Sequence, residues 1–359
     1  MDISVIIATH NQAERLRLVL CGLQQQSLDP SRFEVLVVDD GSTDATQGML
    51  AEKMAANLRV ITLATNMGRN VARNWGVRAA QGRLVVFIDG DALPAPDMLA
   101  CYWRAYENLG DQVIYSGMQY CLPQLEYFQD PQTGELMQVP MASIEKDYIA
   151  AHRGEWVVTE NMVCDDFSSI RARAQEGGYP FPELAKRQRH VRQLMAEIPD
   201  ARCGWVGFIP HNGAVPSRLL AEAGGFDEQI SFSEGWELAY RLQRQYGAVV
   251  CAVDAEVFHL YHYHDFADAE QGNMRYRAVE YMIEKHGDTR LRLLYCWWAS
   301  LWPDPMLPEL AWVRDALELE KRYGTLTETE WRDYEVLFAN HPRLGKHVKK
   351  EVEDYATYA

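Results

Sequence analysis

The first 115 residues alternate short apolar runs with amphipathic segments, and this alternation constrains the fold more than any other feature. Four runs of strand length span residues 3–8, 33–38, 58–63 and 84–88. Each is followed by a polar or glycine-containing turn and then by a segment with apolar residues at helical spacing. Strands that alternate with helices predict an α/β fold whose central sheet is mostly parallel and covered by helices on both faces.

The rest of the chain divides into three parts by its pattern. Between residues 116 and 205 the alternation is lost, and we expect an insertion that contains helices such as residues 182–198. The α/β pattern returns over residues 206–264, with a helix from Glu234 to Tyr246 and short strands at 249–253 and 256–259. Residues 265–359 have a helical pattern, in which Gly287 stops one helix. The sequence therefore predicts one α/β domain over residues 1–264 and a helical C-terminal extension.

The formal net charge of −16 limits the partners of this chain. An acidic surface repels phosphate backbones and anionic lipid headgroups, so general binding to nucleic acid or to a membrane surface is not expected. A hydrophobic fraction of 48% and a charged fraction of 24% are those of an ordinary globular protein. A local basic or metal-bearing site could still bind a polyanion, and the formation of homo-oligomers is left open.

The cysteines and the apolar runs predict a soluble, cytoplasmic protein. Seven cysteines are scattered singly, which favours reduced thiols over a disulfide framework or a zinc module. The N-terminus lacks a basic flank before an apolar signal core. The longest apolar run, residues 295–302, is far shorter than the ~20 residues that span a bilayer, and we expect it to lie in the core.

Asp89-Gly90-Asp91 directly follows the fourth apolar run and is a candidate metal site. Mg²⁺ and Mn²⁺ take one or two carboxylates and complete their coordination with water and substrate phosphates. Gly90 lets a substrate approach the backbone closely. Ligands of open α/β sheets gather at the carboxyl ends of the strands, where this motif lies. Taken alone the motif is weak, because most Asp-x-Asp sequences lie on solvated turns.

Several further turns occur in a fixed order around this motif. Before it come Ala8-Thr9-His10-Asn11, Asp39-Asp40-Gly41-Ser42, Asn66-Met67-Gly68 and Arg73-Asn74; after it come Asn212-Gly213-Ala214-Val215, residues 224–228 and Glu237-Leu238. This series resembles family 2 glycosyltransferases of the GT-A fold, over about residues 3–99 and 207–264. The later part is also similar to the acceptor motif of galactosyltransferase-like enzymes. The resemblance implies a Rossmann-like GT-A domain that binds a nucleotide sugar with residues 1–115 and an acceptor with residues 116–264.

The resemblance implies that a hexose or N-acetylhexosamine passes, with inversion, from a nucleotide diphosphate to a hydroxyl of a glycan or small molecule. The donor is expected to be a UDP-sugar held with Mn²⁺ or Mg²⁺. Asp40 would accept the uracil N3 hydrogen, His10 would stack on the base, and Arg73 would reach the base or the diphosphate. The implied donor-binding residues are Ala8, Thr9, His10, Asn11, Asp39, Asp40, Asn66, Arg73, Asp89, Gly90 and Asp91. For Asp39 and Asp40, a plain capping role is an open alternative.

The resemblance also implies a metal-binding histidine beyond the acceptor motif. Asp89 and Asp91 would bind the metal, with Asp91 the firmer ligand. His259 matches the position of the histidine best, and His262 and His264 are the alternatives. Three histidines so close together do not by themselves indicate zinc, because no helical frame or cysteine accompanies them.

The general base is the point at which this chain departs from the family pattern. Where the family has aspartate after glutamate, this chain has Gly235 after Glu234. Glu234 is the favoured base, with Glu237 or Asp227 as substitutes. Glu237 has a structural alternative, an ion pair with Arg241 four residues later on the same helix.

Acceptor binding is predicted for Trp205, Asn212 and Trp236, although a tryptophan is more often buried in a core. Two other functions compete with glycosyl transfer. Nucleotidyltransferases share a similar core, but their first loop is usually basic and glycine-rich, unlike Ala8-Thr9-His10-Asn11. The other alternative is a catalytically impaired scaffold or sensor that binds a nucleotide sugar, and Gly235 is the feature that favours it.

Overall fold

The computed structural model describes residues 1–52, 55–123, 158–177, 182–230, 232–261, 269–301 and 307–340. Nine strands within these residues form one mixed sheet. They are β1 (Ile3–Thr9), β2 (Phe33–Asp39), β3 (Leu58–Thr62), β4 (Leu84–Asp89), β5 (Ala92–Pro94), β6 (Val113–Pro123), β7 (Gln175–Glu176), β8 (Asn212–Pro216) and β9 (Val249–Tyr261). Their order is β3-β2-β1-β4-β8-β6-β9-β5, with β7 beside β6.

The pairing of the strands is mostly parallel, as the sequence predicts. β3, β2, β1 and β4 form one parallel block, and β6 and β9 form a long parallel pair. β8 joins these two parts because it is antiparallel to both β4 and β6. The antiparallel strand β5 closes the far edge against β9.

Two segments differ from the expectation. Residues 249–253 and 256–259 belong to one strand, β9, and the register against β6 shifts between Ser116 and Met118. Asp254 falls within this irregularity, which explains why the apolar pattern breaks there although the strand continues. β6 lies inside the sheet, so the expected insertion boundary at residue 116 falls within a strand.

Helices cover the sheet and form the C-terminal part of the described chain. They are α1 (Ala13–Gln24), α2 (Thr46–Leu50), α3 (Arg69–Ala79), α4 (Met98–Leu109), α5 (Glu160–Asp165), α6 (Phe167–Arg173), α7 (Pro182–Glu197), α8 (Ser217–Ala223), α9 (Glu234–Tyr246), α10 (Ala269–His286), α11 (Leu293–Leu301), α12 (Ala316–Thr325) and α13 (Glu328–Asn340). α9 has its predicted bounds, because Gly247 adopts a φ of 67° at its end. Within the described ranges, none of these helices is both long and apolar enough to span a bilayer.

Alternate residues of β1 lie in different apolar cores. Ile3, Val5 and Ile7 join the core on one side of the sheet, and Ile6 joins the core that contains α8, α9 and α11. α11 is buried within that second core, as the sequence predicts for residues 295–301, whereas Trp302 lies outside the described residues. The seven cysteines all lie in described segments and form no disulfide.

Candidate functional site

The predicted donor residues meet at the carboxyl ends of β1, β2 and β4. The strand register sets Thr9 beside Asp39 and Ala8 beside Asp89. These three strands are parallel neighbours, so the turns that follow them open at the same edge of the sheet. The expected gathering of polar turns is therefore a property of the fold.

The two aspartates at the end of β2 have different environments. Asp40 accepts hydrogen bonds from the backbone amides of Met67 and Gly68, at 2.7 and 2.9 Å, and so fixes the loop after β3. Asp39 is fully buried and accepts from the Ser42 amide through Oδ1, at 3.0 Å. Its Oδ2 is buried without a hydrogen-bond partner, as is Oγ1 of Thr9. Neither residue caps α2 or α3 through its side chain. Both oxygens of Asp40 accept backbone amides, whereas Oδ2 of Asp39 has no partner among the described residues and could accept a hydrogen bond from a ligand.

The loop after β1 is held in place by its own side chains. Nδ1 of His10 lies 2.9 Å from the carbonyl oxygen of Asp40, and its Nε2 lies 3.2 Å from Nδ2 of Asn11. Asn11 has a positive φ of 52° and accepts a hydrogen bond from the Thr43 amide at 2.8 Å. Asn66 accepts from the Gly68 amide at 3.1 Å. These contacts order the loop before any ligand binds.

Asp91 and His259 fit a divalent cation. Oδ1 of Asp91 lies 3.8 Å from Nε2 of His259, because β5 pairs with β9 and sets Ala92 opposite His259. A single ion at about 2.0–2.2 Å from each atom could contact both. Among the described residues, no three His, Cys, Asp or Glu side chains form a complete metal site. A pair of protein ligands suits Mg²⁺ or Mn²⁺ completed by phosphate oxygens and water. His262 and His264 lie outside the described residues.

Arg73 lies between two carboxylates. It is 2% exposed, and it donates through Nη2 to Oδ1 of Asp89 at 2.8 Å and through Nη1 to Oε1 of Glu234 at 2.7 Å. Arg69 lies 3.7 Å from the same Glu234 oxygen. Burial acts to raise the pKa of Glu234, but Arg69 and Arg73 outweigh it, so the pKa lies below its usual value. The predicted base is therefore an ionised carboxylate held by cations, which weakens it as a proton acceptor.

Glu237, the other predicted catalytic residue, lies in a buried ion cluster. It is fully buried and pairs with Arg241, Lys285 and His286, at 2.9, 2.7 and 3.1 Å. Burial acts to raise its pKa, but the hydrogen bonds from His286, Arg241 and Lys285 outweigh burial and hold the pKa far below its usual range. This geometry supports the ion-pair alternative for Glu237 rather than a catalytic role.

Asp227, the remaining substitute base, is also engaged. Lys285 lies 2.6 Å from its Oδ2, and the Tyr281 hydroxyl donates to the same oxygen at 2.5 Å. Burial acts to raise its pKa, but the bonds from Lys285 and Tyr281 lower it overall. Asp227 therefore links α10 to the loop before α9.

Two of the three predicted acceptor residues are interior residues. Trp205 is 1% exposed and packs edge-on against Trp236 and Tyr240, with ring centroids 6.1 and 5.5 Å apart. Asn212 is 2% exposed; it accepts from the Tyr102 hydroxyl and donates to two backbone carbonyls. Both side chains are engaged with neighbouring protein groups, and acceptor binding by Trp205 and Asn212 stays a prediction. Asn212 is interior because β8 runs inside the sheet and carries it.

Trp236 lines a pocket of about 170 Å³ that opens beside Asp89 and Glu234. The pocket is lined by residues from several parts of the chain: Arg69 and Arg73 of α3, Asp89, Arg187 of α7, residues 208–211 and 232–236, and Trp298 of α11. The indoles of Trp236 and Trp298 are stacked with centroids 6.0 Å apart, and the Arg187 guanidinium lies 5.8 Å from the Trp236 ring. An aromatic wall with a few charged groups is typical of a pocket for a small polar ligand.

Several pocket residues are absent from the sequence prediction. They are Arg69, Arg187, His211 and Trp298. For Arg69 the sequence does contain an indication of a binding role. Arg69 lies in the first turn of a helix, where a positive charge is unfavourable because it faces the positive end of the helix dipole, so its presence there indicates a function other than stabilising the helix. Burial lowers the pKa of His211 to about 4, so its imidazole is neutral at pH 7. Arg187 and Trp298 belong to segments that only the tertiary fold brings to this edge.

Gly235 allows close packing at the position where the family pattern has an aspartate. A Cβ at this position would lie 2.4 Å from Cδ of Pro210 and 3.1 Å from the carbonyl oxygen of Phe208. Contacts below 3 Å to a proline ring require the backbone to move. An aspartate side chain would therefore not fit at position 235 in this structure.

Comparison with known proteins supports the assignment of the N-terminal part. Residues 4–175 match the family model described as Glycosyl transferase family 2. The uncharacterized glycosyltransferase YfnE of Bacillus subtilis is 40% identical over 116 residues, which are 32% of this chain and 29% of the relative. Validoxylamine A glucosyltransferase of Streptomyces hygroscopicus subsp. limoneus is 32% identical over 249 residues, which are 67% of this chain and 47% of the relative. The chain thus spans less than half the length of these two relatives.

Two solved structures share the fold. TarS of Staphylococcus aureus, residues 1–349 in complex with UDP-GlcNAc, has a TM-score of 0.50 and 16% identity, covering 96% of this chain and 82% of that one. The mannosyltransferase PcManGT of Pyrobaculum calidifontis, in complex with GDP-Man and Mn²⁺, has a TM-score of 0.50 and 17% identity, covering 97% and 83%. At these identities the likeness concerns the fold alone, and it confirms the predicted GT-A fold. Fold and sequence agree, and the domain that contains residues 4–175 belongs to glycosyltransferase family 2.

Proposed function

We propose that this chain transfers a sugar from a nucleotide diphosphate donor to a hydroxyl of a glycan or small-molecule acceptor, with a divalent cation at Asp91. The observation that carries the proposal is the pair of Asp91 and His259, 3.8 Å apart at the edge of the sheet where the turns after β1, β2 and β4 open. The family match gives the reaction class. The acidic surface argues against a polymeric polyanion as the general partner.

The chain's own residues supply donor binding. Thr9 and Asp39 carry buried oxygens without partners, which suits hydrogen bonds to the base or the ribose. Arg69 lies 52% exposed in the first turn of α3, where its charge and the positive end of the helix both favour an anionic diphosphate. When bound, the cation would stabilise negative charge on the departing diphosphate. Asp91 and His259 would hold it.

The donor base is tested with two nucleotides. The fold relatives are complexes with UDP-GlcNAc and with GDP-Man, so both uridine and guanosine sugars are candidates. We favour a uridine sugar. The resemblance assigns the N3 hydrogen of uracil to Asp40, but both oxygens of Asp40 accept backbone amides, so we propose Oδ2 of the neighbouring Asp39 as the acceptor. Analysis of the product in the same assay shows whether a hexose or an N-acetylhexosamine is transferred. It also shows whether the configuration at the anomeric carbon is inverted.

The test measures release of nucleoside diphosphate from UDP- and GDP-sugars with and without Mn²⁺. Wild type should release nucleotide only with Mn²⁺, and Asp91→Ala should lose at least about 10²-fold, the size seen when one transition-state charge contact is removed. Asp97→Ala is the matched control, because Asp97 is an exposed aspartate six residues away at the start of α4. Activity of Asp91→Ala within a few-fold of wild type would remove Asp91 from the metal site.

A second candidate function is a catalytically impaired protein that binds a nucleotide sugar as a scaffold or sensor. The specific observation in its favour is the packing at Gly235, which has no room for the family's aspartate. A protein that binds UDP with Mn²⁺ in a thermal-shift assay, yet releases no nucleotide from any sugar donor, would have this function.

A further inference from the structure

We propose that Arg73 is a positioning residue that couples the donor-site carboxylate Asp89 to Glu234 on the acceptor side, and that Glu234 acts through this coupling and not as the base. The inference rests on the proposed function. It differs from the role that the sequence predicts for Arg73, which is direct contact with the base or diphosphate of the donor. The donor-binding half of the domain (residues 1–115) and the acceptor-binding half (residues 116–264) would then adopt the geometry needed for transfer together.

The contacts of Arg73 favour bridging. Each of its two η nitrogens donates to a different carboxylate, Asp89 at 2.8 Å and Glu234 at 2.7 Å. The guanidinium also lies 5.5 Å from the centroid of the Phe226 ring, which limits its rotation. A buried guanidinium with two carboxylate partners is fixed in direction, because turning it away from either partner would break a buried, charge-assisted hydrogen bond.

The helix that carries Arg73 is itself attached to the acceptor half on both sides of this residue. Asn70 donates to the backbone carbonyls of Asp227 and Ile230, at 2.9 and 2.6 Å. Asn74 exchanges hydrogen bonds with the backbone of Phe226, at 2.8 and 2.9 Å. α3 therefore joins β1 and β2 to the loop that precedes α9.

Glu234 has the environment of an anchor. It is the first residue of α9, is 6% exposed, and lies beside two arginines. Ser233, which precedes it, has a positive φ of 59°, a left-handed conformation that is unfavourable for a non-glycine residue. The ion pair with Arg73 holds the start of α9 in this strained position. Because α9 also carries Gly235 and Trp236, the same contact sets the wall of the 170 Å³ pocket.

The kinetic test compares Arg73→Ala, Arg73→Lys and Glu234→Gln in the full chain with a donor sugar and Mn²⁺. Arg73→Ala should lower kcat about 10²-fold, a far larger effect than its rise in donor KM, because the reacting groups are chiefly misplaced and not unbound. Arg73→Lys should recover little of this, since an ammonium cannot replace the two-pronged guanidinium. A raised donor KM with an unchanged kcat would show that Arg73 binds the donor and would overturn the proposal.

Glu234→Gln separates an anchor from a base. Glutamine keeps an oxygen that can accept from Arg73, so transfer should fall by only a few-fold and the acid limb of the pH profile should stay in place. Glu234→Ala should be as slow as Arg73→Ala, and the double variant should be no slower than either, as expected for two members of one unit. Loss of transfer in Glu234→Gln with intact donor hydrolysis would make Glu234 the base.

A binding measurement keeps the proposal testable if no donor is turned over. Glu234→Ala, although on the acceptor side, should weaken Mn²⁺-dependent binding of UDP at least about fivefold, the lower end of typical couplings between sites. Arg78→Ala is the matched control, because Arg78 is on the same helix, 59% exposed, and pairs only at the surface with Glu228. UDP affinity unchanged in Glu234→Ala would overturn the coupling, whereas absent turnover with normal binding would count against the proposed function alone.

Discussion

At the scale of single residues, Gly235 is a position whose identity is set by packing. It lies in the first turn of α9, and a Cβ there would meet the Pro210 ring at 2.4 Å. Alanine normally stabilises a helix interior by up to about 1 kcal/mol relative to glycine. Here overpacking should outweigh that gain, so we expect Gly235→Ala to lower the free energy of unfolding by about 1–3 kcal/mol.

Urea denaturation of Gly235→Ala beside Gly48→Ala checks this expectation. Gly48 is also helical, in α2, but a Cβ there would meet no atom within 4 Å. The control should therefore be as stable as wild type or slightly more stable. A Gly235→Ala protein that matches the control would show that Pro210 yields easily, and a restored aspartate could then be accommodated.

The residues that the sequence placed well are those whose position follows from local pattern. Asp39 and Asp89 end apolar strands, and parallel strands bring their ends to one edge, so their meeting could be predicted. The partners of Arg73 and Glu237 could not, because they depend on how separate helices approach in space. Trp205 illustrates the same limit, since composition alone does not distinguish a tryptophan in a pocket wall from one in a core.

At the scale of elements, α9 was predictable and its surroundings were not. Its amphipathic pattern and the glycine that follows it are local signals, and they gave its bounds correctly. β9 was expected as two strands because Asp254 interrupts its apolar run, yet the partner β6 continues alongside. Whether residues 249–261 form one strand or two depends on their pairing with β6, which is distant in the chain, and this pairing cannot be read from the local sequence pattern.

The ion cluster around Glu237 fastens α10 to α9, and it gives a prediction about stability at low pH. Its partners are Arg241 on α9 and Lys285 and His286 on α10. Removing the charge of Glu237 leaves the buried Arg241 without its carboxylate and Lys285 with Asp227 alone, so Glu237→Gln should cost about 3–5 kcal/mol at pH 7. Urea denaturation of both proteins measures this.

The sign of the pH dependence follows from the lowered pKa of Glu237. A carboxyl whose pKa is lower in the folded state stabilises the fold above its unfolded pKa of ~4.3, and this stabilisation is lost as the pH falls below that value. The difference between wild type and Glu237→Gln should therefore be smaller at pH 4 than at pH 7. Glu222→Gln, at a half-exposed pair on α8, is the control and should change stability by less than about 0.5 kcal/mol. A difference independent of pH would contradict the role of the carboxylate charge.

At the scale of the whole molecule, the pocket beside Asp89 depends on segments far apart in the chain. Arg187 comes from α7, Trp236 from α9 and Trp298 from α11 in the C-terminal helices. A helical extension that only stabilised the fold would not need to contribute to this pocket. We therefore expect the C-terminal helices to affect which acceptor is used, while the donor site at the ends of β1, β2 and β4 is formed without them.

Trp298→Ala tests this division of the molecule. The substitution removes one wall of the pocket and the stacking partner of Trp236, so transfer to the acceptor should fall by about tenfold or more, the equivalent of an aromatic contact worth about 1.4 kcal/mol. Release of nucleotide by hydrolysis of the donor alone should change by less than about twofold to threefold, because no donor residue is touched. Trp331→Ala is the matched control, since Trp331 lies in the same C-terminal helices but packs against Tyr334 and Phe338, away from the pocket. Equal losses of transfer and hydrolysis in Trp298→Ala, or the same loss of transfer in the control, would mean that this helix stabilises the fold and does not select the acceptor.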